Sequence, residues 1–288
     1  MAATIISGKD LAKEKREAMK NEVGRLKEKG IVPGLAVILV GNNPASLSYV
    51  KGKQKASKEA GIHFVLIEKP ESITEKELLD EIDRFNNDES IHGILVQLPL
   101  PPHINETAVI EKIDPDKDVD GFHPINIGRM MTGQEAFIPC TPAGIVEMVK
   151  SIDYPIEGKH VVVVGRSNIV GKPVGMLFLN ENATVTYCHS RTADMSSFTR
   201  SADILVVAAG KMHLIQAEDI KEGAVVIDVG VNRMENGKLT GDVDFERAKE
   251  SASYITPVPG GVGPMTITML LHNTIQSARR SHNLKDDQ

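Results

Sequence analysis

Short apolar runs and helix-period segments alternate twice along this chain, and that order leaves few folds open. Leu35–Gly41 (LAVILVG) is an apolar run ending in Gly and reads as a buried strand. Pro44–Ala60 follows with helix periodicity and stops at Gly61. Ile62–Glu68 reads as a second strand. Thr74–Asn87 reads as a charged amphipathic helix, opened by Thr74 with Glu77 three residues on, the pattern of a capping box. Gly93–Leu98 is a third strand, stopped by Pro99-Leu100-Pro101-Pro102. Strands separated by helices pair in parallel and need helices over the sheet, so this half of the chain predicts an α/β domain.

A second series follows. Asp114–Pro142 is irregular and dense in Asp, Gly, Pro and Asn, and a connection of that length inside a folded protein usually serves function. Cys140–Lys150 reads as a helix with Thr141 as its cap and Pro142 in its first turn. Val161–Gly165, Thr184–Cys188, Asp203–Ala209 and Ala224–Val229 read as strands, with a short helix at Pro173–Glu181. Tyr254–Pro264 is rich in Gly and Pro, Met265–Arg280 is a final helix, and Ser281–Gln288 is expected to be a loose polar tail. The expected fold is α/β, with two three-layer α/β domains. Their boundaries are drawn at residues 1–139 and 140–264, with the helix 265–280 packing back on the first. Neither an internal repeat nor a low-complexity linker interrupts them.

Composition excludes several classes of function. The 288 residues carry 33 basic and 39 acidic side chains, a net charge of -6, so no electrostatic footprint for bulk nucleic-acid binding exists. Trp is absent and Tyr and Phe are few, which removes the stacking platform of a single-strand binder. No apolar run is long enough to span a membrane, and the N-terminus turns charged at once, so neither a membrane span nor a secretory signal is expected. Two cysteines, Cys140 and Cys188, make no disulfide framework, and a cytoplasmic location is expected. No His/Cys cluster stands at metal-ligand spacing, so no metal is expected.

The segment from Val161 to Pro173 (VVVVGRSNIVGKP) runs from a strand through a Gly-bearing turn into a helix, the context in which a backbone approaches a pyrophosphate. Its pattern is Gly165-x-Ser167-x-x-x-Gly171, with Ser167 where a dinucleotide fingerprint has its middle glycine. The loop must be wider, or the phosphate must sit differently. A Walker loop is excluded by the extra residue between Gly165 and Gly171 and by Pro173 in the magnesium-ligand position. Taken alone, a plain βα connection also accounts for this turn. The following strand favours NADP. An NAD enzyme places an acid there for the ribose hydroxyls, whereas this chain has Ser190 and Arg191, with Arg166 nearby, suited to a 2′-phosphate.

In the first half, Tyr49 and Lys53 lie one helical turn apart and share a face, while Lys51 and Lys55 read as a solvated basic face. Gln97 ends a strand, the usual place for ligand contact in a parallel sheet, though a satisfied strand-end polar residue would look the same. Asp114 to Gly121 spaces acids like a calcium loop but lacks its sixth-position Gly and closing Glu. Of these acids, Asp120 precedes a Gly beside the irregular stretch.

Taken together, these segments resemble the bifunctional methylenetetrahydrofolate dehydrogenase/methenyltetrahydrofolate cyclohydrolase family. The resemblance is carried by Tyr49-x-x-x-Lys53, Gly93 to Pro101 (GILVQLPLP), Lys117 to Gly121 (KDVDG), Pro139 to Pro142 (PCTP), Val164 to Pro173 (VGRSNIVGKP), Ile227 to Gly230 (IDVG) and Thr256 to Thr266 (TPVPGGVGPMT). It implies a second domain that is a Rossmann-like NADP-binding domain, with an active cleft between the domains, and a homodimer. It implies Lys53 as the catalytic residue of the cyclohydrolase step, with Gln97 tuning its protonation. Tyr49 would stack on the folate's aminobenzoyl ring and Asp120 would hydrogen-bond the pterin. Gly165, Arg166, Ser167, Ser190 and Arg191 would hold NADP, with Val231 at the nicotinamide ribose, and Pro259, Gly260, Gly261 and Gly263 would line the folate side. The implied reaction is NADP-dependent oxidation of 5,10-methylenetetrahydrofolate, then hydrolysis to 10-formyltetrahydrofolate. Two other readings stay open on residues alone. A shikimate-type dehydrogenase could use a Lys–Asp pair such as Lys53 with Asp120, and an NADP-binding sensor would bind without turnover.

Overall fold

Every residue of Gly34–Val40 is buried, so the strand these residues form must be covered on both faces. The computed structural model describes residues 2–284. In chain order the elements are β1 (Thr4–Ile5), α1 (Gly8–Glu28), β2 (Gly34–Val40), α2 (Pro44–Ala60), β3 (His63–Lys69), α3 (Glu75–Asn86), β4 (Gly93–Val96), α4 (Glu106–Lys112), α5 (Pro124–Met131) and α6 (Cys140–Lys150). There follow β5 (His160–Val164), α7 (Gly171–Asn180), β6 (Thr184–Cys188), α8 (Met195–Thr199), β7 (Ile204–Val207), β8 (Val225–Asp228), β9 (Asn232–Arg233), β10 (Leu239–Thr240), α9 (Phe245–Ala248), β11 (Tyr254–Ile255) and α10 (Val262–Ser281).

Two units result. One consists of residues 14–140 and 267–284, the other of residues 2–13 and 141–266. In the 14–140 unit the sheet order is β3-β2-β4, all parallel, with Ile38 opposite both Ile67 and Val96. Successive residues of β2 point to opposite faces. Leu35, Val37 and Leu39 pack with Met19, Val23 and Leu26 of α1 and with Leu270, Leu271 and Ile275 of α10. Ala36, Ile38 and Val40 pack with Leu78, Ile82 and Phe85 of α3. This is the three-layer sandwich that the apolar run called for. The final helix contributes its apolar stripe to this core, and Leu284 also packs there. Ser281 ends α10 and Leu284 N donates to Arg279 O, so the first four residues of the expected loose tail are held; residues 285–288 lie outside the described residues.

In the 141–266 unit a six-stranded parallel sheet runs β1-β11-β8-β7-β5-β6, with β9 and β10 as a separate antiparallel pair. Residues 2–13 belong here because Thr4 and Ile5 pair with Tyr254 and Ile255. Sequence pattern alone groups them with the first domain. That pairing is long-range and two residues long, too short to leave a pattern in sequence. Nor does sequence pattern assign a helix at α1, α4 or α5. In α1 the buried apolar side chains form a single narrow stripe through a highly charged segment. In α5 the irregular segment is organised by tertiary contacts. Asp118 accepts hydrogen bonds from Phe122 N, His123 N and Asn126 Nδ2, and His123 caps the helix through Ile125 N.

A buried carboxylate plays a similar part in the other unit. Asp228, at the end of β8, accepts from Gly230 N, Asp242 N and Val243 N at 3.0, 2.9 and 2.9 Å. Removing a partner from buried N–H groups leaves each at a cost of about 1–3 kcal/mol. The Asp228→Ala variant is therefore expected to lose about 3 kcal/mol or more of stability in chemical denaturation. A loss under about 1 kcal/mol would show that the three amides find other acceptors.

Candidate active site

Helix α2 is phased by its ends. Asn43 Oδ1 accepts from Ala45 N and Ser46 N, Pro44 occupies the first turn, and Gly61 closes the helix in the left-handed conformation. The phase puts Tyr49 and Lys53 side by side, with Lys53 Nζ 5.3 Å from the centre of the Tyr49 ring. Lys53 is 4% exposed, while Tyr49 is 38% exposed and offers its ring to solvent.

Gln97 stands just past β4, its own N–H bonded to Ile38 O. Lys53 Nζ donates to Gln97 Oε1 at 3.0 Å, and Gln97 Nε2 donates to Leu98 O at 2.8 Å. The second bond decides the first, because it turns the amide so that its carbonyl faces the lysine. Asp120 reaches the same place by another route. Gly121 has φ 76°, and a Cβ there would lie 2.6 Å from Ile138 C and Pro139 N, so only glycine lets these two segments meet. Asn273 Nδ2 of α10 then bonds Val119 O and Ile138 O at 2.9 and 3.0 Å and holds them together. Cys140, wholly buried beside Asp120, donates its thiol proton to Val119 O.

Burial pushes the Lys53 amine below the usual lysine range, with Asp120 and Cys140 pulling it part of the way back. Burial raises the Asp120 carboxyl, opposed by Lys53 and by the neighbouring thiol. Both groups thus move toward their neutral forms. Burial drives Cys140 well above the ordinary thiol range, which favours its neutral thiol. Asp118, set aside in the sequence reading, is raised by burial to about 7 and acts as the anchor of the loop into α5.

The other unit carries a pocket of about 520 Å³ where β6, β5 and β7 end. It is lined by Gly165, Arg166, Ser167, Ser190, Thr192 and Lys211, with Met195 and Leu214 as apolar wall and, among the described residues, no carboxylate. Gly165 has φ 135°, and a Cβ there would sit 2.3 Å from Ala208 O, so the turn runs against the end of β7. Ser167 Oγ accepts from Val170 N and Gly171 N at 3.2 and 3.1 Å, at the start of α7. The turn, the cationic wall and the absence of a lining acid together fit a phosphorylated dinucleotide better than one with a free ribose 2′-hydroxyl.

The structure gathers Tyr49, Lys53, Gln97 and Asp120 in one unit. It gathers Gly165, Arg166, Ser167 and Ser190 in one pocket of the other. Arg191 is exposed on the same β6 turn, its N–H bonded to His189 Nδ1. Val231 is 65% exposed and does not line the pocket. Pro259, Gly260, Gly261 and Gly263 belong to the 141–266 unit, where Gly260 O accepts from Lys9 N. Sequence reading missed Lys211, Thr192 and the placement of Cys140 against Asp120. For Lys211 the usable signal was its position just after an apolar strand and a Gly.

Residues 139–282 match the NAD(P)-binding domain of tetrahydrofolate dehydrogenase/cyclohydrolase, and residues 6–120 match its catalytic domain. The bifunctional protein FolD of Bacillus licheniformis is 66% identical over 284 residues, covering 99% of this chain and 100% of the relative. Among solved structures, the FolD methylenetetrahydrofolate dehydrogenase/cyclohydrolase of Campylobacter jejuni superposes with a TM-score of 0.96 at 52% identity, over 97% of this chain and 100% of that one. The Trypanosoma brucei enzyme, solved with NADP cofactor and an inhibitor, superposes at 0.94 with 42% identity, over 98% of this chain and 99% of that one. Geometry, profile and superposition agree: this chain belongs to the tetrahydrofolate dehydrogenase/cyclohydrolase family.

Proposed function

We propose that Lys53, oriented by Gln97, handles the proton of the hydrolytic half of a bifunctional reaction, with Tyr49 and Asp120 holding the folate. The chain is a methylenetetrahydrofolate dehydrogenase and methenyltetrahydrofolate cyclohydrolase. It oxidises 5,10-methylenetetrahydrofolate to 5,10-methenyltetrahydrofolate and hydrolyses that cation to 10-formyltetrahydrofolate. NADP, when bound, supplies the acceptor for the hydride that leaves the one-carbon bridge. No substrate proton leaves in that step, so the residues around it have only to align the bridge. Arg166, Ser167, Ser190 and Arg191 would hold the cofactor, with Gly165 giving its turn close approach and Val231 near the nicotinamide ribose. Pro259, Gly260, Gly261 and Gly263 would complete the substrate surface.

Hydrolysis makes the harder demand. Water adds to the methenyl carbon and gives a proton to Lys53; the bond from that carbon to N5 then breaks, N5 takes a proton, and the added oxygen becomes the formyl carbonyl. The buried position of Lys53 and the adjacent substrate cation both favour the neutral amine. Gln97 Oε1 takes one N–H of that amine and so directs the lone pair. The tyrosine ring beside it offers a stacking surface to the aminobenzoyl group, and Asp120 offers a hydrogen-bond acceptor to the pterin. The observation that carries this reading is the 3.0 Å bond from a buried Lys53 to Gln97 Oε1. The chain would act as a cytoplasmic homodimer, its product feeding purine and amino-acid biosynthesis. These three points rest on the family alone. Among the described residues, no helix is long and apolar enough to cross a membrane. A coupled assay following NADPH and methenyl absorbance together tests the bifunctional reading.

Replacing Lys53 with Met keeps the aliphatic volume and removes the base. The hydrolytic rate of Lys53→Met is expected to fall by about 10²–10⁴-fold, with the dehydrogenase falling less and methenyl-folate accumulating. Equal loss in both steps would remove Lys53 from the base role.

The depressed lysine also sets a pH profile. Its neutral form grows as pH rises, so the cyclohydrolase rate should climb through an apparent pKa below 10.5, and Lys53→Met should lack that limb. A limb that survives in the variant, after subtraction of spontaneous hydrolysis, belongs to another group.

For Asp120→Asn, calorimetry is expected to show folate affinity down about ten-fold or more, with NADP affinity near that of the parent protein. A larger loss for NADP would take Asp120 out of the substrate site.

A further inference from the structure

Ser167 changes what the turn after β5 can offer a phosphate. In a dinucleotide fingerprint, glycine at this position leaves the helix N-terminal amides to the pyrophosphate. Here Ser167 Oγ accepts from both Val170 N and Gly171 N, and Lys172 N is bonded to Ser167 O. Three amides at the start of α7 are therefore occupied from within the loop. A pyrophosphate in the pocket, with its two negative charges, must find its partners elsewhere.

Lys211 is placed to supply one. It follows β7, the neighbour of β5 on the side away from β6. Its loop runs against the Gly165 turn at Ala208 O. The loop is also anchored, because Ala209 N and Gly210 N donate to Oδ2 of the fully buried Asp242 at 2.7 and 2.8 Å. Lys211 lines the pocket with Arg166, and neither has an ion-pair partner among the described residues. Ser190 and Arg191 stand on the β6 side, the side that takes the ribose and its 2′-phosphate. Lys211 approaches from the opposite wall.

We propose that Lys211 is the cation for the cofactor's pyrophosphate, replacing donors that Ser167 has taken. This rests on the reading of the pocket as the NADP site. Lys211 then contributes to binding of NADP and NAD alike, and the Ser190 side discriminates between them.

Calorimetric titration of NADP+, NAD+ and 2′-AMP against the parent protein, Lys211→Gln, Lys211→Arg and Ser190→Ala separates the possibilities. Lys211→Gln is expected to weaken NADP+ and NAD+ by the same factor, about 10-fold to 100-fold, and to leave 2′-AMP, which has no pyrophosphate, unchanged. Lys211→Arg should recover most of the loss. Unchanged circular dichroism and thermal melting establish that the variants fold. A loss confined to NADP+ and 2′-AMP would move Lys211 to the 2′-phosphate and overturn the proposal, as would no loss at all. If Ser190→Ala is also silent while NADP+ still binds, the pocket is not the cofactor site and the underlying reading falls with it.

Discussion

A lysine ammonium loses its hydration when it is buried, and the 14–140 unit is organised around that loss. Lys53 is nearly inaccessible, and its partners are an amide oxygen, a tyrosine face and a carboxylate that is itself partly desolvated. Each partner comes from a different element: α2, the end of β4, and the loop beside Cys140. They converge because β2 and β4 are neighbours in a parallel sheet, which sends both following connections to the same edge. Were the sheet antiparallel at this pair, Gln97 would lie at the far end from α2, out of reach of Lys53.

The supporting structure follows from that arrangement. Gly121 permits the approach of Asp120 to the Pro139 segment, and Asn273 ties both segments to α10. The last helix thus holds these two segments in place from its middle, at Asn273. Asp118 and Asp228 perform comparable work in the two units, each a buried carboxylate that collects backbone amides which no secondary structure satisfies. The cofactor pocket uses a different balance. Its wall carries Arg166 and Lys211 from neighbouring strand ends, while Ser167 occupies amides at the start of α7.

Much of this was legible before the structure. Helix α2 has the predicted limits, β6 likewise, and the capping box at Thr74 and Glu77 is present with both of its bonds. Those features depend on neighbours in sequence. The pairing of Tyr49 with Lys53 was legible for the same reason, being one helical turn. The helix α5 was not, because it is held by Asp118 and His123 rather than by periodicity. The N-terminal strand escaped because its partner, β11, lies at the other end of the chain.

The sequence by itself determined the fold class, the parallel sheets and the inventory of chemical groups, since these follow from local period, from turn residues and from side-chain chemistry. The Lys53–Gln97 bond, the pressure on Asp120 and the capture of the α7 amides by Ser167 were decided only in three dimensions. The reason is physical. Desolvation and hydrogen-bond direction depend on which groups exclude water from which others, and residues distant in sequence settle that when they pack.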